Sequence, residues 1–411
     1  MHEHLVFLGI SLVILGYGLF SKLLGRYNIS GPMVFTGVGM ILSPLVLGGK
    51  PINVNAEAIQ IVAEITLIIV LFSDAAALNL TQLKANWRLP TRLLFVALPI
   101  TIILTTLTGL WFFPNEATLY ILLLALILAP TDAALGKIVV SDERIPSTVR
   151  NTINVESGLN DGIVFPILLT VLAMISSGAD TAQSGWMGYI AQQIFVGALA
   201  GAFVGWAGAS LMVKALKKGW MEHQYSNLAP IALAIFSFYF AEHFGGNGYI
   251  AAFFSGLFLG NTSEVLREHV ESFAESEGEF LIMISFLIFG LVFIPATIAY
   301  WDLKALFFAV LSLTVLRMLP VVLSFGFFKV DLATRLFFGW FGPRGIASIL
   351  YILVAVGELG DIKGHEQIFA VASLTIFLSI ILHGLSAQPL AVLYSKSHPA
   401  KEETAQQSQK Q

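Results

Sequence analysis

Apolar runs of about twenty residues recur along the whole chain, parted by short polar connections. A helix that crosses a bilayer needs about 20 such residues, within roughly 17–25. Runs of this kind fall at 4–21, 31–48, 57–78, 91–113, 117–136, 151–176, 187–214, 226–243, 247–261, 274–294, 303–328, 334–356 and 367–393, thirteen in all. The ninth is short, as a tilted or half helix would be. The first lacks the basic stretch of a signal peptide: Met1-His2-Glu3-His4 precede it and Lys22 and Arg26 follow it. It therefore reads as a retained span. The pattern predicts an all-α polytopic membrane protein over residues 1–393 and a short, Gln-rich, disordered tail over 394–411.

The cations set an orientation. With the first connection placed inside, 17 of the 22 Lys and Arg residues fall in inside connections or the tail. Only Lys50, Lys304 and Lys363 fall outside, and Arg317 and Arg344 lie within spans. By the positive-inside rule this predicts an odd number of spans, with the N-terminus outside and the C-terminus cytoplasmic. The expected location is the plasma (inner) membrane.

Composition agrees. The chain is 56% hydrophobic and 12% charged, with a mean hydropathy of +0.82, whereas soluble domains carry about 25% charged residues. A net charge of −4 without a basic run gives no sign of nucleic-acid binding. There are no cysteines, which excludes disulfides, thiolate metal sites and cysteine nucleophiles.

The sixth run carries the most informative residues, in Glu156-Ser157-Gly158-Leu159-Asn160-Asp161-Gly162. A carboxylate inside a span is costly and marks an ion or proton pathway. At these spacings Glu156, Ser157, Asn160 and Asp161 share one broad helix face. Two carboxylates, a hydroxyl and an amide carbonyl make that face oxygen-rich, as hard cations prefer. Gly158 and Gly162 would let another helix approach closely.

Two spans read as broken. The fifth ends Pro130-Thr131-Asp132-Ala133, where proline removes a backbone donor and frees carbonyls. Asp132 can serve the N-terminus of the half-helix that resumes there. The twelfth holds Gly339-Trp340-Phe341-Gly342-Pro343-Arg344-Gly345, and Arg344 can neutralise helix-end carbonyls. Interrupted spans in both halves of a chain point to an inverted-repeat transporter with its site at the breaks. Spans one to six and eight to thirteen would form the repeats, with the seventh as linker.

Arg317 lies in the middle of span eleven and needs a carboxylate. Its depth matches that of Glu156, so the two are expected to pair. Asp161 is then left without a cation of its own, in surroundings where a proton and a metal cation would compete for it. Asp74 sits near the end of span three and is expected at the interface. His243, His269 and His383 each stand alone. The acidic stretch 261–279 carries an apolar stripe of Val265, Leu266, Val270 and Phe273, and is expected to lie along the cytoplasmic interface.

With these motifs the chain resembles the monovalent cation/proton antiporters, specifically the sodium/proton exchangers with an Asn-Asp pair. The matching residues are Pro130-Thr131-Asp132, Glu156 to Gly162, Arg317 and Gly342-Pro343-Arg344-Gly345. The resemblance covers about residues 5–393. It implies two inverted six-helix repeats with crossed broken helices, a core bundle beside a dimerisation scaffold, and a homodimer. It also implies that Asp161 carries cation and proton. Ser157, Thr131 and Glu156 would help Asp161 ligate Na⁺, Asp132 and Arg344 would support the breaks, and Asn160 stands where electrogenic relatives have Asp. Family members often follow Thr-Asp with Pro; here Ala133 follows. The substrates implied are Na⁺ or Li⁺ and H⁺, with K⁺ as the rival cation, and no cofactor is implied. A cation channel and an intramembrane enzyme are the other classes weighed. No His lies near Asn160-Asp161 in sequence and no metal-type spacing appears, which disfavours an enzyme. A channel needs no titratable carboxylate beside two breaks.

Overall fold

The computed structural model describes residues 2–47, 57–85, 87–176, 186–326, 328–360 and 362–398. No strand occurs among them. In chain order the principal helices are α1 (His2–Arg26), α2 (Gly31–Leu42), α3 (Glu57–Ala77), α4 (Arg88–Phe112) and α5 (Thr118–Ile127). Next come α6 (Ala133–Val140), α7 (Ser147–Ser176), α8 (Trp186–Lys217), α9 (His223–His243) and α10 (Gly248–Thr262). The last are α11 (Glu264–Tyr300), α12 (Leu303–Ser324), α13 (Leu332–Trp340), α14 (Ile346–Leu359) and α15 (Glu366–Ser397).

Each of the thirteen apolar runs coincides with a helix or a pair of half-helices. Eight described helices are long and apolar enough to cross a membrane, and shorter apolar helices include α2, α5 and α14. The fifth and twelfth runs fall short because each is split, into α5/α6 and α13/α14. The chain is an integral, multi-pass membrane protein. On α1, Leu8, Leu12, Leu15 and Leu19 recur at helical spacing and stand 62–69% exposed, an apolar outer face suited to lipid.

Short polar residues start several helices. Asn247 accepts from Ile250 N (3.1 Å), Asp302 from Ala305 N (2.7 Å) and Asp331 from Thr334 N (3.0 Å), each satisfying an amide that has no partner within its own helix. From Glu264 onward the acidic stretch forms the first part of the continuous helix α11, with Leu266, Val270 and Phe273 buried and Val265 exposed. The tail expected from 394 begins inside α15, which runs to Ser397; residues 399–411 lie outside the described residues.

Helices α8, α10 and α3 stack through small residues. A Cβ on Gly201 or Gly205 of α8 would strike the backbone of Ala251 or Ser255 on α10. One on Gly256 or Gly260 of α10 would strike the backbone of Phe72 or Ala76 on α3. Backbones that touch in this way gain packing without any hydrophobic driving force, as lipid-embedded helices must. The largest apolar cluster surrounds the two broken elements, with α5, α7, α14 and α15 in its centre.

Candidate functional site

The breaks in α5/α6 and α13/α14 cross and seal each other. Pro130 and the unwound turn after α5 release carbonyls that a dry interior cannot leave bare. Ser348 Oγ donates to Ile127 O (2.7 Å), and the buried Arg344 Nη1 donates to Ala129 O and to Pro130 O (2.9 Å). In return, Asp132 Oδ2 accepts from Ile346 N (2.9 Å) at the start of α14, and Asp132 N donates to Pro343 O (2.8 Å). Asp132 Oδ2 thus caps the N-terminus of the other broken element, a partner that the sequence did not point to. Gly345 is required at the crossing, since a Cβ there would overlap the Asp132 carboxylate.

The second break is also held by α15. Arg344 N donates to Ser379 Oγ (2.7 Å), Ser379 Oγ lies 3.1 Å from His383 Nδ1, and His383 Nε2 lies 3.0 Å from Trp340 O. Nδ1 also lies 3.1 Å from Ser379 O, so each ring nitrogen faces a carbonyl that can only accept, and the imidazole can donate to either Trp340 O or Ser379 O. His383 is therefore a positioning group in a buried chain and not a lone sensor.

On α7, Glu156, Ser157, Asn160 and Asp161 are all buried, but they part company. At roughly 100° per residue, Glu156 and Asp161 diverge by about 140° around the axis. Glu156 Oε1 pairs with Arg317 Nη2 at 2.5 Å, as depth counting predicts. Asn160 Nδ2 donates to Thr131 Oγ1 (2.6 Å), and Ser157 Oγ donates to Thr131 O (2.7 Å). So the four do not act as one ligand face. Ser157 and Asp161 line a cavity of about 60 Å³ with Thr131 and Asp132, and Glu156 is not on its wall.

Asp161 is 3% exposed and forms no ion pair among the described residues. Its polar neighbour is Tyr351 on α14, whose hydroxyl lies 3.4 Å from Asp161 Oδ1. Low-dielectric surroundings oppose a bare carboxylate, so the site is stable with a proton or with a cation. Sequence reasoning did not find Tyr351; it looks like any apolar residue of its span. Asp74, expected at the interface, lines the same cavity, as does the π-helical turn Ala274–Gly278 of α11 through Ala274 and Gly278.

Two crossed, reciprocally capped broken helices thus stand beside a buried carboxylate that has no ion pair among the described residues, in a polytopic membrane protein. The family described as sodium/hydrogen exchanger, transmembrane, matches residues 9–393, and the chain belongs to that family. The K(+)/H(+) antiporter NhaP of Alkalimonas amylolytica is 26% identical over 366 residues, covering 87% of this chain and 61% of that protein. The probable Na(+)/H(+) antiporter C3A11.09 of Schizosaccharomyces pombe is 26% identical over 314 residues, covering 72% of this chain and 41% of its own length. The K(+)/H(+) antiporter NhaP2 of Shewanella oneidensis is 24% identical, covering 93% and 66%. The chain thus spans less than two thirds of each of these relatives. Among solved structures, the sodium proton antiporter MjNhaP1 from Methanocaldococcus jannaschii at pH 8 shares the fold with a TM-score of 0.76 at 19% identity. That match covers 95% of this chain and 99% of that one.

Proposed function

We propose that the protein is a secondary antiporter that exchanges Na⁺ or Li⁺ for H⁺ by competition at Asp161. One observation carries this reading: Asp161 is buried, has no basic partner among the described residues, and faces a cavity walled by the hydroxyl-bearing Thr131 and Ser157. When the carboxylate releases its proton, a dehydrating cation replaces it, with Asp161, Ser157 and Thr131 offering oxygens of the kind a hard cation takes. Ser157 gives its proton to Thr131 O, so its lone pairs stay available. Glu156 is held by Arg317 and lies off the cavity wall, so it supports α7 and does not ligate directly.

Asn160 adds no titratable charge beside Asp161, so one cation for one proton is electroneutral. The bundle that bears the crossing would rock against a dimerising scaffold over residues 1–393, giving alternating access. The charge asymmetry of the connections supports an outside N-terminus and a cytoplasmic C-terminus in the plasma (inner) membrane.

The test is dissipation of a pH gradient in inverted vesicles on adding Na⁺, Li⁺ or K⁺. The native chain should respond and Asp161→Asn should not. An Asp161→Asn variant that matches the native chain refutes the reading. The K(+)/H(+) names of two relatives favour K⁺ as a second reading, and a response to K⁺ alone selects it.

A further inference from the structure

A groove away from the crossing runs between α12, α13 and α15 and encloses about 570 Å³. Cavities that hold organic ligands measure about 300–1,000 Å³ and are mostly apolar. Met318, Leu336, Leu390 and Leu393 wall this one, and hydroxyls enter only at one end, from Tyr394 and Ser397. Leu336 and Leu393 are exposed, as are Leu319 and Leu323 on α12 and Leu332 on α13. The groove therefore opens on an apolar outer surface, which in a spanning chain faces hydrocarbon.

Its floor is fixed. Phe337 packs on both Phe341 and Tyr394, with ring centroids 4.4 and 4.2 Å apart. Tyr394 is pinned by its hydroxyl, 2.7 Å from Thr334 Oγ1, and Trp340 by Nε1, which donates to Ser386 Oγ (2.9 Å). Rings held in this way do not collapse into the space beside them. Apolar walls that touch nothing forfeit their dispersion contacts, and an apolar occupant restores them.

Three features identify that occupant. The first is length. Helices α13 and α15 run antiparallel, with His398 3.3 Å from Asp331 at one end and Ser386 bonded to Trp340 at the other. From Ala333 to Phe341 the groove follows about 12 Å of backbone, against about 15 Å for the hydrocarbon of one leaflet. The second is charge. Exposed Lys396 adjoins Ser397, and exposed Lys329 precedes α13, so the polar end offers cations to an anionic headgroup. On the orientation proposed above that end is cytoplasmic, the side where anionic lipids concentrate. The third is composition. Residues 399–411 of the chain itself carry no large apolar side chain to lay in the groove.

We propose that this groove holds one acyl chain of an anionic phospholipid, with its headgroup at Lys396 and its tip against Trp340 and Phe341. The tip reaches the second break, because Gly342-Pro343-Arg344 follow Phe341 directly and Trp340 O lies 3.0 Å from His383 Nε2. The lipid braces α13 from outside while α15 holds it from within.

The experiment uses the full chain in phosphatidylcholine nanodiscs doped with a phosphatidylglycerol that carries a diazirine near the end of one acyl chain. After irradiation the labelled residues are read by mass spectrometry. Label should concentrate on Trp340 and Phe341, above the level on the exposed leucine face of α1, which samples ordinary surrounding lipid. Ala333→Trp, which fills the groove, should cut the groove label about fivefold or more and leave the α1 label unchanged. Leu393→Trp obstructs the groove from α15 and gives the same reading if the first variant does not fold. A phosphatidylcholine probe with the same chain should label the groove about fivefold less, and Lys396→Gln should erase that difference. Groove label no denser than that on α1, or indifferent to both tryptophan variants, overturns the proposal. Equal labelling by the two probes overturns the anionic headgroup. A groove closed to both probes, with Ala333→Trp eluting as a smaller species, assigns the space to a second copy of the chain and overturns the proposal as well.

Discussion

Glu156 on α7 and Arg317 on α12 meet at 2.5 Å across 161 residues of sequence, with side chains 3% and 1% exposed. Gly342 makes room for the guanidinium: a Cβ at that position would lie 2.6 Å from Arg317 Nε. The pair thus ties α7 to the second break. Removing one partner strands the other as a buried charge, which costs about 3–5 kcal/mol. Arg317→Ala and Glu156→Gln should each lower the melting temperature in detergent sharply. The double replacement Glu156→Gln with Arg317→Met should melt above either single variant, and a double variant no better than the singles would show that the contact is not one coupled pair.

Asn160 is held by donation, not by acceptance. Its Nδ2 gives a 2.6 Å bond to Thr131 Oγ1 and lies 3.4 Å from Thr131 O, while its Oδ1 has no partner among the described residues. Asn160→Asp replaces that donor with an acceptor facing a carbonyl. A loss of about 1–3 kcal/mol in stability is expected, read as a lower melting temperature. It also adds a second carboxylate, so transport in liposomes should become current-carrying.

Gly345→Ala should be far more damaging than Gly136→Ala. At Gly345 the new methyl would overlap the Asp132 carboxylate that caps α14, whereas at Gly136 nothing among the described residues lies within 4 Å. Overpacking of this kind costs about 1–3 kcal/mol. Exchange activity should fall with it, because the cap and the crossing move together. Gly136→Ala, inside a helix, should hold or raise the melting temperature.

The connection after α6 carries an acid-sensitive contact. The hydrogen bond from Arg144 (2.7 Å), set against some burial, holds the Asp142 carboxyl below its ordinary range. A depressed carboxyl adds stability above its unfolded value, near pH 4, and loses it as pH falls through the lower folded value. Arg144→Gln should therefore remove a small contribution at neutral pH, and the difference from the native protein should shrink as pH falls through the lowered folded value. Melting temperature recorded against pH for both proteins checks this.

The spans were legible because a bilayer writes its thickness into the chain as runs of apolar residues. The partner of Arg317 was legible for a related reason, since a cation at that depth must find an acid at the same depth. The crossing was legible only as two interruptions. That Asp132 reaches Ile346, 214 residues away, depends on how two helix ends pass each other, and local spacing carries no record of it. Asp74 looked interfacial because it lies close to the end of its span, yet α3 dips toward α7 at Gly158 and takes it into the cavity. Tyr351 was invisible because an aromatic residue in a span betrays nothing of where its hydroxyl points.

The exchange of caps at the crossing has a consequence for how the chain is made. Arg344 closes the carbonyls at Ala129 and Pro130, 215 and 214 residues upstream, and Asp132 closes the amide of Ile346. Synthesis runs from the N-terminus, so α5 and α6 enter the bilayer before Arg344 can close the carbonyls and before the Ile346 amide reaches Asp132. Their dry, sealed state exists only after α13 and α14 have emerged and slid into place. Assembly of the transport site is therefore a late, cooperative event that joins two halves of the chain, and a protein interrupted before Arg344 would present an unfinished helix end to quality control.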